Sequence, residues 1–351
     1  MKVKLSKGLG EFFALDIGTK NIRVVQLSGS VGRGWELKHY GYAEVERGML
    51  LDDSDIGREK FGEVLKQVIM KAGIDTDNVA IGIPSNKVFT TVVDVPNQSS
   101  DELKKTIKYQ IDQYIPMNVA DAKVDYVSLG VSPRNNTTME VMLASVSNEY
   151  SENRLELLEN LGYNVIAMES DSLAMARAIF SPDVPDAVLG IDMGESSTDV
   201  VIYYNKAPRI IRTIPGGFGQ VAKGIASQLG IREDQARQFL LKFGLVQDKL
   251  EGQIFKAADG AMVQFFTELK KTINFFQMRY TNVPIKSAIT TGFAGTVPFM
   301  TEYIEMQVSI PTTIGNPWHD IKVNETMQQQ LLPIASEFAV AVGLAKRRSD
   351  V

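Results

Sequence analysis

The sequence predicts an α/β fold built on a duplicated core, with a small α+β subdomain inserted between the two copies. Two observations predict it. A strand, an Asp-x-Gly turn and a second strand occur twice, at Asp16-Ile17-Gly18 and at Asp192-Met193-Gly194. Residues 86–165, which separate the copies, follow a different order of strands and helices. A tract that recurs across more than half a chain indicates a duplicated domain, because the periods of solenoid repeats are far shorter.

The first copy has the order strand, strand, strand, helix, strand. Apolar and β-branched runs predict its strands, and apolar residues at mostly three- and four-residue spacing predict its helix. These elements lie, in order, at residues 12–17, 22–27, 35–45, 56–69 and 79–83. The second copy opens with the same three strands from residue 188 onward. When the two turns are overlaid, Arg23 falls on Asp199, which supports the duplication.

The inserted module has its own pattern. Ser99 and Glu102 form a capping-box signature, which predicts a helix that stops at Pro116. Apolar runs predict the other elements, namely strands at residues 89–95, 124–131, 139–147 and 163–168 and a helix at 152–161. A second, helical insertion is predicted from about residue 233 to residue 280.

We therefore expect four subdomains. Their predicted bounds are 1–85, 166–187 and 337–351 for the first core subdomain, 86–165 for the small α+β module, 188–232 and 286–336 for the second core subdomain, and 233–285 for the helical subdomain.

Composition excludes several classes of site. Hydrophobic residues make up 44% and charged residues 23% of the chain, the balance of a soluble globular protein. Cysteine is absent, which excludes disulfides, thiolate zinc sites and cysteine nucleophiles, and two histidines exclude a multi-histidine metal site. The net charge of −5 argues against a nucleic-acid partner. No apolar run is long enough to span a bilayer, so we expect no direct membrane span and a cytoplasmic protein.

The two Asp-x-Gly turns are candidate phosphate loops. A turn of this kind directs backbone N–H groups at an anion, and glycine permits close approach. An aspartate beside a phosphate needs a cation between them, so Asp16 and Asp192 are candidate Mg²⁺ contacts, through water. The other candidate cofactor-binding residues of the loops are Gly18, Thr19, Lys20, Gly194, Glu195, Ser196 and Ser197. Asp-Gly turns are also common in plain hairpins, and only their matched register favours function.

Further glycine turns complete the candidate site. A short strand at residues 287–291 runs into Gly292-Phe293, which is typical of a backbone turn against a purine or ribose. Gly216 and Gly217 are also counted among the cofactor-binding candidates. The run from Gly217 to Ala222 fits G-x-G-x-x-A, but helices follow it where a dinucleotide fold would return to a strand. The P-loop pattern G-x-x-x-x-G-K-[ST] does not occur.

These motifs resemble those of the actin, chaperone and sugar-kinase superfamily, which has a ribonuclease H-like core. Within it the chain most resembles the PilM family, actin-like proteins of type IV pilus assembly related to FtsA. The runs that carry the closer resemblance are 109–116 ending in Gln-Tyr-Ile-Pro, 268–276 ending in Asn-Phe-Phe, Asn316-Pro317-Trp318, and 337–345.

The resemblance implies a scaffold that binds ATP and Mg²⁺. It also implies that the chain clasps the cytoplasmic N-terminal peptide of PilN, in a groove between the first core subdomain and the small module. PilN and other inner-membrane pilus assembly proteins would attach the chain peripherally to the inner membrane. Self-association is left open.

Two departures from the family pattern concern the adenosine. The capping helix of the family has a Glu and a Lys that approach the ribose, and this chain has Arg237 and Leu240 there. Phe293 stands where a second glycine is usual. These residues weaken the prediction for the adenosine and leave the one for the phosphates unchanged.

Two other functions and one activity stay open at this point. A small-molecule kinase of the same fold needs a catalytic aspartate over a hydroxyl substrate, and no convincing candidate is found. An FtsA-like filament former would carry a membrane helix after its last core helix, which we do not expect here. Slow ATP hydrolysis is the most that we expect, with Asp171 as the candidate catalytic residue and Glu169 as its rival.

Overall fold

The structure is a computed structural model, and it describes residues 10–30, 32–46, 49, 54–247 and 249–347. The ends of the expected first core subdomain, at residues 1–9 and 348–351, lie outside this range. The strands are β1 Phe13–Ile17, β2 Asn21–Ser30, β3 Gly34–Glu44, β4 Asn78–Ile83, β5 Val88–Pro96, β6 Ala122–Val131, β7 Thr138–Ser147, β8 Asn164–Ser170, β9 Ala187–Met193, β10 Ser197–Tyr204, β11 Ala207–Pro215, β12 Ile285–Gly292, β13 Thr312–Ile314 and β14 Ile321–Lys322.

Helices connect these strands and cover their faces. They are α1 Asp55–Ala72, α2 Ser100–Gln110, α3 Asn148–Asn160, α4 Asp171–Ile179, α5 Phe218–Leu229, α6 Glu233–Phe243, α7 Gln253–Arg279, α8 Phe293–Thr296, α9 Met300–Val308, α10 Glu325–Leu331 and α11 Ala339–Ala345.

Two sheets repeat one topology. The first has the order β14-β3-β2-β1-β4-β8, and the second has the order β11-β10-β9-β12-β13. Each sheet contains three consecutive antiparallel strands, β1 to β3 or β9 to β11, and the Asp-x-Gly turn joins the first two of them. A parallel strand, β4 or β12, pairs with the other side of the first strand. The cross-strand register is the same in both, since Asp16 pairs with Arg23 and Asp192 pairs with Asp199. The predicted duplication is therefore present.

A buried layer joins the two sheets. Its core draws Val25 from the first sheet and Val188 and Val201 from the second, together with most of α4 and α11. The two helices pack very closely, because a Cβ on Gly343 would overlap the backbone carbonyl of Ala174. This layer sets the distance between the two Asp-x-Gly turns.

The small module is a three-stranded antiparallel sheet in the order β5-β7-β6, covered by α2. Leu103 and Ile107 of α2 pack on Val141 and Leu143 of β7. The capping box of Ser99 and Glu102 is present, as predicted.

Three helices differ in detail from the sequence-based expectation. The α-helical part of α2 ends at Gln110, and a 3-10 turn at Ile111–Gln113 precedes Pro116, which keeps Ile111 and Ile115 in the module core. Leu158 of α3 packs in the core of the first sheet, although the predicted bounds group α3 with the module. The helical insertion is broken between α6 and α7, where Gly244 has a positive φ of 59° and its amide bonds to Leu240.

Candidate functional site

The two Asp-x-Gly turns have the same hydrogen-bonded geometry. The amide of Gly18 donates to the carbonyl of Asn21 at 2.8 Å, and the amide of Gly194 donates to the carbonyl of Ser197 at 2.9 Å. Each turn therefore closes a hairpin of four residues, directly after a buried strand, β1 or β9, in the interior of its sheet. Because both sheets share the layer of α4 and α11, the turns face one another across one cleft.

This central cleft has a volume of about 360 Å³. The loops of both cores, the start of α4 and the end of β12 line it. The structure brings together there all of the predicted site residues except two, namely Asp16, Gly18, Thr19, Lys20, Asp171, Asp192, Gly194, Glu195, Ser196, Ser197, Gly292 and Phe293.

The two exceptions, Gly216 and Gly217, lie behind the second loop and line a smaller separate cavity. The amide of Gly216 donates to the carbonyl of Ser196 at 3.1 Å. A Cβ on Gly217 would overlap the carbonyl of Gly194. These glycines therefore support the second loop from behind. Because they have no side chains, the backbone of the loop packs directly against their backbone.

Four aspartates lie together in the cleft, and all have raised pKa values. Burial raises the pKa of Asp171 well above its usual range, and the neighbouring carboxylates raise it further. Burial, followed by the charge of Asp199, raises the pKa of Asp192 to about 7. Burial also raises the pKa values of Asp16 and Asp199. Ionised carboxylates in such a set repel one another, so the cleft favours a bound cation.

One observation points in the same direction. Oδ1 of Asp171 is a buried oxygen with no hydrogen-bond partner in the described part of the chain. Among the described residues, no three His, Asp or Glu side chains converge closely enough to ligate a metal directly. The donor set thus fits a hydrated Mg²⁺, whose water ligands would reach the carboxylates. The assignment of Mg²⁺ to Asp16 and Asp192 stays a prediction.

Sequence reasoning missed a cation that is built into the cleft. The Arg23 guanidinium lies 3.5 Å from Oδ2 of Asp16, forms an ion pair with Glu337 and stands over the ring of Phe338. It lowers the pKa of Asp16 against the effect of burial. The alternation of β2 was the available signal, because residues 16 and 23 are paired across the hairpin. Other cleft residues that were not predicted include Arg58, Lys87, Arg154, Asp199 and Glu337.

The candidate catalytic residue and its rival occupy different sites. Asp171, the first residue of α4, lines the central cleft. Glu169 faces away from it and receives hydrogen bonds from Arg177 at 2.9 Å and from Arg347 at 3.1 Å. Of the two carboxylates, Asp171 is therefore the one that a ligand in the central cleft would meet.

Gly292 and Phe293 form the third wall of the cleft. Gly292 has a positive φ of 64°, and a Cβ there would overlap the carbonyl of Met193. Thr291 donates a hydrogen bond to Oδ1 of Asp192 at 2.9 Å, which partly offsets the raised pKa of that aspartate. The turn after β12 is thus tied directly to the second loop.

A larger cavity, the module groove, lies between the small module and the first core and has a volume of about 910 Å³. Apolar side chains of three elements line it, namely Met142, Met168 and Leu173. β6 lies along one side and is an edge strand, with β7 as its hydrogen-bonded neighbour in the sheet. The charged residues of the groove are Lys123, Asp125, Glu169, Arg177, Lys206, Asp320, Lys346 and Arg347, with more basic than acidic members.

In the described part of the chain, no helix has both the length and the apolar character that crossing a membrane requires.

Comparison with known proteins gives the same fold. A solved structure described as a PilM-PilN type IV pilus biogenesis complex has a TM-score of 0.80 and 20% identity, over 96% of this chain and 98% of that one. MreB 5 of Spiroplasma citri bound to AMPPNP has a TM-score of 0.55 and 12% identity, over 96% and 95% of the two chains. The predicted α/β, duplicated actin-like fold is confirmed.

Sequence comparison agrees. The cell division protein FtsA of Borreliella burgdorferi (strain ATCC 35210 / DSM 4680 / CIP 102532 / B31) is 23% identical over 228 residues, or 58% of this chain. The chain spans about half of that relative's length, 53%. A family model described as type IV pilus assembly protein PilM matches residues 14–349. Since this match covers nearly the whole chain, the chain belongs to the PilM family of type IV pilus assembly proteins.

Proposed function

We propose that this PilM-family chain is a scaffold that holds ATP and Mg²⁺ in the central cleft and clasps the cytoplasmic N-terminal peptide of PilN in the module groove. PilN and other inner-membrane pilus assembly proteins would keep the chain, a cytoplasmic protein, at the inner membrane. ATP hydrolysis is slow at most.

The observation that carries the nucleotide part is the pair of matched loops with four aspartates between them. Lys20 and Arg23 supply positive charge on one side, and the hydroxyls of Ser196 and Ser197 supply donors on the other. Burial first, and mutual repulsion second, raise the pKa values of Asp171 and Asp192, and bound Mg²⁺ would stabilise the ionised carboxylates against both. The structurally similar MreB 5 is bound to AMPPNP, a nucleotide with three phosphates.

Any action of Asp171 on water is expected to depend on the cation in the cleft. A residue that orients or deprotonates water must be an ionised acceptor. Burial, and after it the charges of neighbouring carboxylates, raise the pKa of Asp171 well above its usual range, which disfavours the ionised form unless a cation enters the cleft. Asp171 would then position water and accept a proton only in the loaded state.

The peptide part is supported by the shape and chemistry of the module groove. An extended peptide can add to an edge strand, with main-chain hydrogen bonds for affinity and pockets for alternate side chains. β6 offers such an edge beside an apolar floor that includes Met142, Met168 and Phe180. The solved complex of PilM with PilN is the structural neighbour that supports PilN as the partner.

Thermal unfolding with and without Mg-ATP tests the nucleotide part. A ligand at a hundred times its dissociation constant stabilises a protein by about 2.7 kcal/mol. Wild type is expected to show this shift, and Asp16→Ala and Asp192→Ala are expected to lose it. Equal shifts in all three proteins would refute the assignment of the cleft.

Binding of a PilN N-terminal peptide tests the groove. Val127 lines the groove from β6 and is 47% exposed, whereas Val263 on α7 is 61% exposed and does not line it. Val127→Glu is expected to weaken peptide binding at least tenfold, and Val263→Glu to leave it unchanged. Equal affinities of both variants would place the peptide elsewhere.

Neither alternative is favoured. The family match over residues 14–349 is to pilus assembly proteins, while the FtsA relative is matched over about half of its length. Detection of a phosphorylated small-molecule product after incubation with ATP would support the kinase alternative instead.

A further inference from the structure

An ion pair joins α6 to the second loop at the edge of the central cleft, which Glu195 lines and Arg237 does not. Arg237 donates two hydrogen bonds to Glu195, from Nη1 to Oε1 at 2.8 Å and from Nη2 to Oε2 at 2.7 Å. Both side chains are nearly buried, with exposures of 14% and 4%. A bidentate pair of this kind fixes the guanidinium plane as well as its charge.

An aromatic stack supports this pair from below. The Arg237 guanidinium stands 4.7 Å above the ring of Phe218, which is fully buried. Phe218 in turn stacks on Phe293, with ring centroids 4.3 Å apart and an angle of 15° between the planes. The stack therefore runs from Arg237 through Phe218 to Phe293, and Phe293 lines the cleft. Each contact adds a favourable stacking or cation–π interaction.

The helical subdomain consequently presents no polar group to the cleft. Of the described residues between 218 and 279, which include α5, α6 and α7, none lines the cleft. Leu240, at the place where the family pattern has a lysine, is fully buried in the core of the second sheet. On this side of the cleft a purine would meet the Phe293 ring and the backbone after Gly292, and no side chain of α6 would reach its edges.

We propose that this site selects its ligand by the Mg-bound polyphosphate and not by the base, and that the Arg237–Glu195 pair is the reason. The inference rests on the proposed nucleotide function and concerns its specificity. A site that reads a ligand by hydrogen bonds rejects analogues strongly, because unmatched buried groups are left unpaired. Aromatic surface alone accepts any base, because each base has a π face. The ligand class is therefore nucleoside triphosphates in general.

Isothermal titration of the full chain with Mg-ATP, Mg-GTP and Mg-tripolyphosphate tests this. We expect the dissociation constants of ATP and GTP to agree within about threefold, and tripolyphosphate to bind within about tenfold of ATP. A preference for ATP over GTP of tenfold or more would overturn the inference and leave the proposed function standing. Failure of all three ligands to bind would overturn both.

Two variants test whether the Arg237–Glu195 pair is the reason that the base is not selected. Arg237→Ala removes the side chain that covers Phe218 and holds Glu195, which opens the cleft on the side of α6, so ATP is expected to gain at least about threefold over tripolyphosphate. The readout is the ratio of the dissociation constants of tripolyphosphate and ATP, because the loss of a cation weakens the binding of both anions alike. Arg232→Ala, on the exposed start of the same helix, is the matched control and leaves the ratio unchanged. If the unpaired Glu195 prevents folding, the Glu195→Ala/Arg237→Ala double variant removes that charge as well. An unchanged ratio in a folded variant would overturn the assigned role of Arg237.

Discussion

Replacing Glu140 by glutamine perturbs a buried charge that joins the small module to the second core. Glu140 on β7 receives hydrogen bonds from Arg209 of β11 at 2.5 Å and from the hydroxyl of Tyr280 at 2.7 Å. Both members of the Arg209–Glu140 pair have fully buried side chains. Glutamine has nearly the same shape, so its amide oxygen still accepts from Tyr280 while the charge is lost.

Two arginine charges stay behind, and Arg209 sets the magnitude because Arg279, 3.4 Å from Glu140, keeps its ion pair with Asp94. Arg209 keeps its hydrogen bonds to the carbonyls of Tyr204 and Asn205, but its charge has no compensating carboxylate at that distance. Breaking a buried pair from one side typically costs about 3–5 kcal/mol. Arg209→Met in the same background removes that charge. We expect the Glu140→Gln/Arg209→Met double variant to cost at least about 1.5 kcal/mol less than the sum of the single variants.

Urea unfolding followed by two probes measures this. Trp35 and Trp318 both pack in the layer beside the first sheet, so their fluorescence reports that region, whereas far-ultraviolet circular dichroism reports the whole chain. In Glu140→Gln the two transitions are expected to separate, because the link to the second core is weakened. Asp234→Asn, which removes an exposed ion pair with Arg232, is the control and changes stability by less than about 1 kcal/mol. A Glu140→Gln variant within 1 kcal/mol of wild type would refute the reasoning.

Three further predictions concern the cleft, the central layer and the module. Burial raises the folded-state pKa of Asp192 from 3.8 to about 7. Between these pH values the folded protein binds more protons than the unfolded chain, so its free energy of unfolding is expected to fall as the pH rises. Asp192→Asn flattens this slope in urea unfolding and adds roughly 2 kcal/mol at pH 7.5, less than the full shift because the cleft admits water. Gly343→Ala is expected to cost about 1–3 kcal/mol through overlap with Ala174. Gly260→Ala in α7, where the new Cβ would only touch Gln228 at 3.8 Å, is expected to stabilise by about 0.5–1 kcal/mol, and thermal unfolding measures both. Ser99→Ala removes the cap of α2 and is expected to cost about 1 kcal/mol, seen as faster amide exchange in the module.

Local signals and the repeat predicted most of the fold. The strand expected at residues 79–83 is β4, Asn78–Ile83, and the pairing of Asp16 with Arg23 and of Asp192 with Asp199 repeats as the overlay required. Such features depend on periodicity, glycine turns and capping residues, all of which act within a few residues along the chain. The gathering of the predicted loop residues in one cleft follows from the duplication.

Long-range side-chain pairs could not be predicted in this way. Arg237 lies 42 residues from Glu195, and Arg209 lies 69 residues from Glu140. Nothing in the local pattern distinguishes these residues from solvated charges on a helix or an edge strand. The family pattern indicates only that Arg237 lies near the ribose. Its partner, Glu195, follows from the packing of α6 against the second loop. The limit is thus set by tertiary packing, which propensity does not contain.

Proton release on nucleotide binding tests the central claim, that the aspartate cleft holds Mg²⁺ and phosphate, most directly. Titrating Mg-ATP at pH 6.5 in buffers of different ionisation enthalpy gives the number of protons exchanged. A cation beside Asp192 lowers its pKa from about 7, so wild type is predicted to release up to about 0.8 of a proton more than Asp192→Asn. Binding with the same proton exchange in both proteins, or no binding by wild type, would contradict the account.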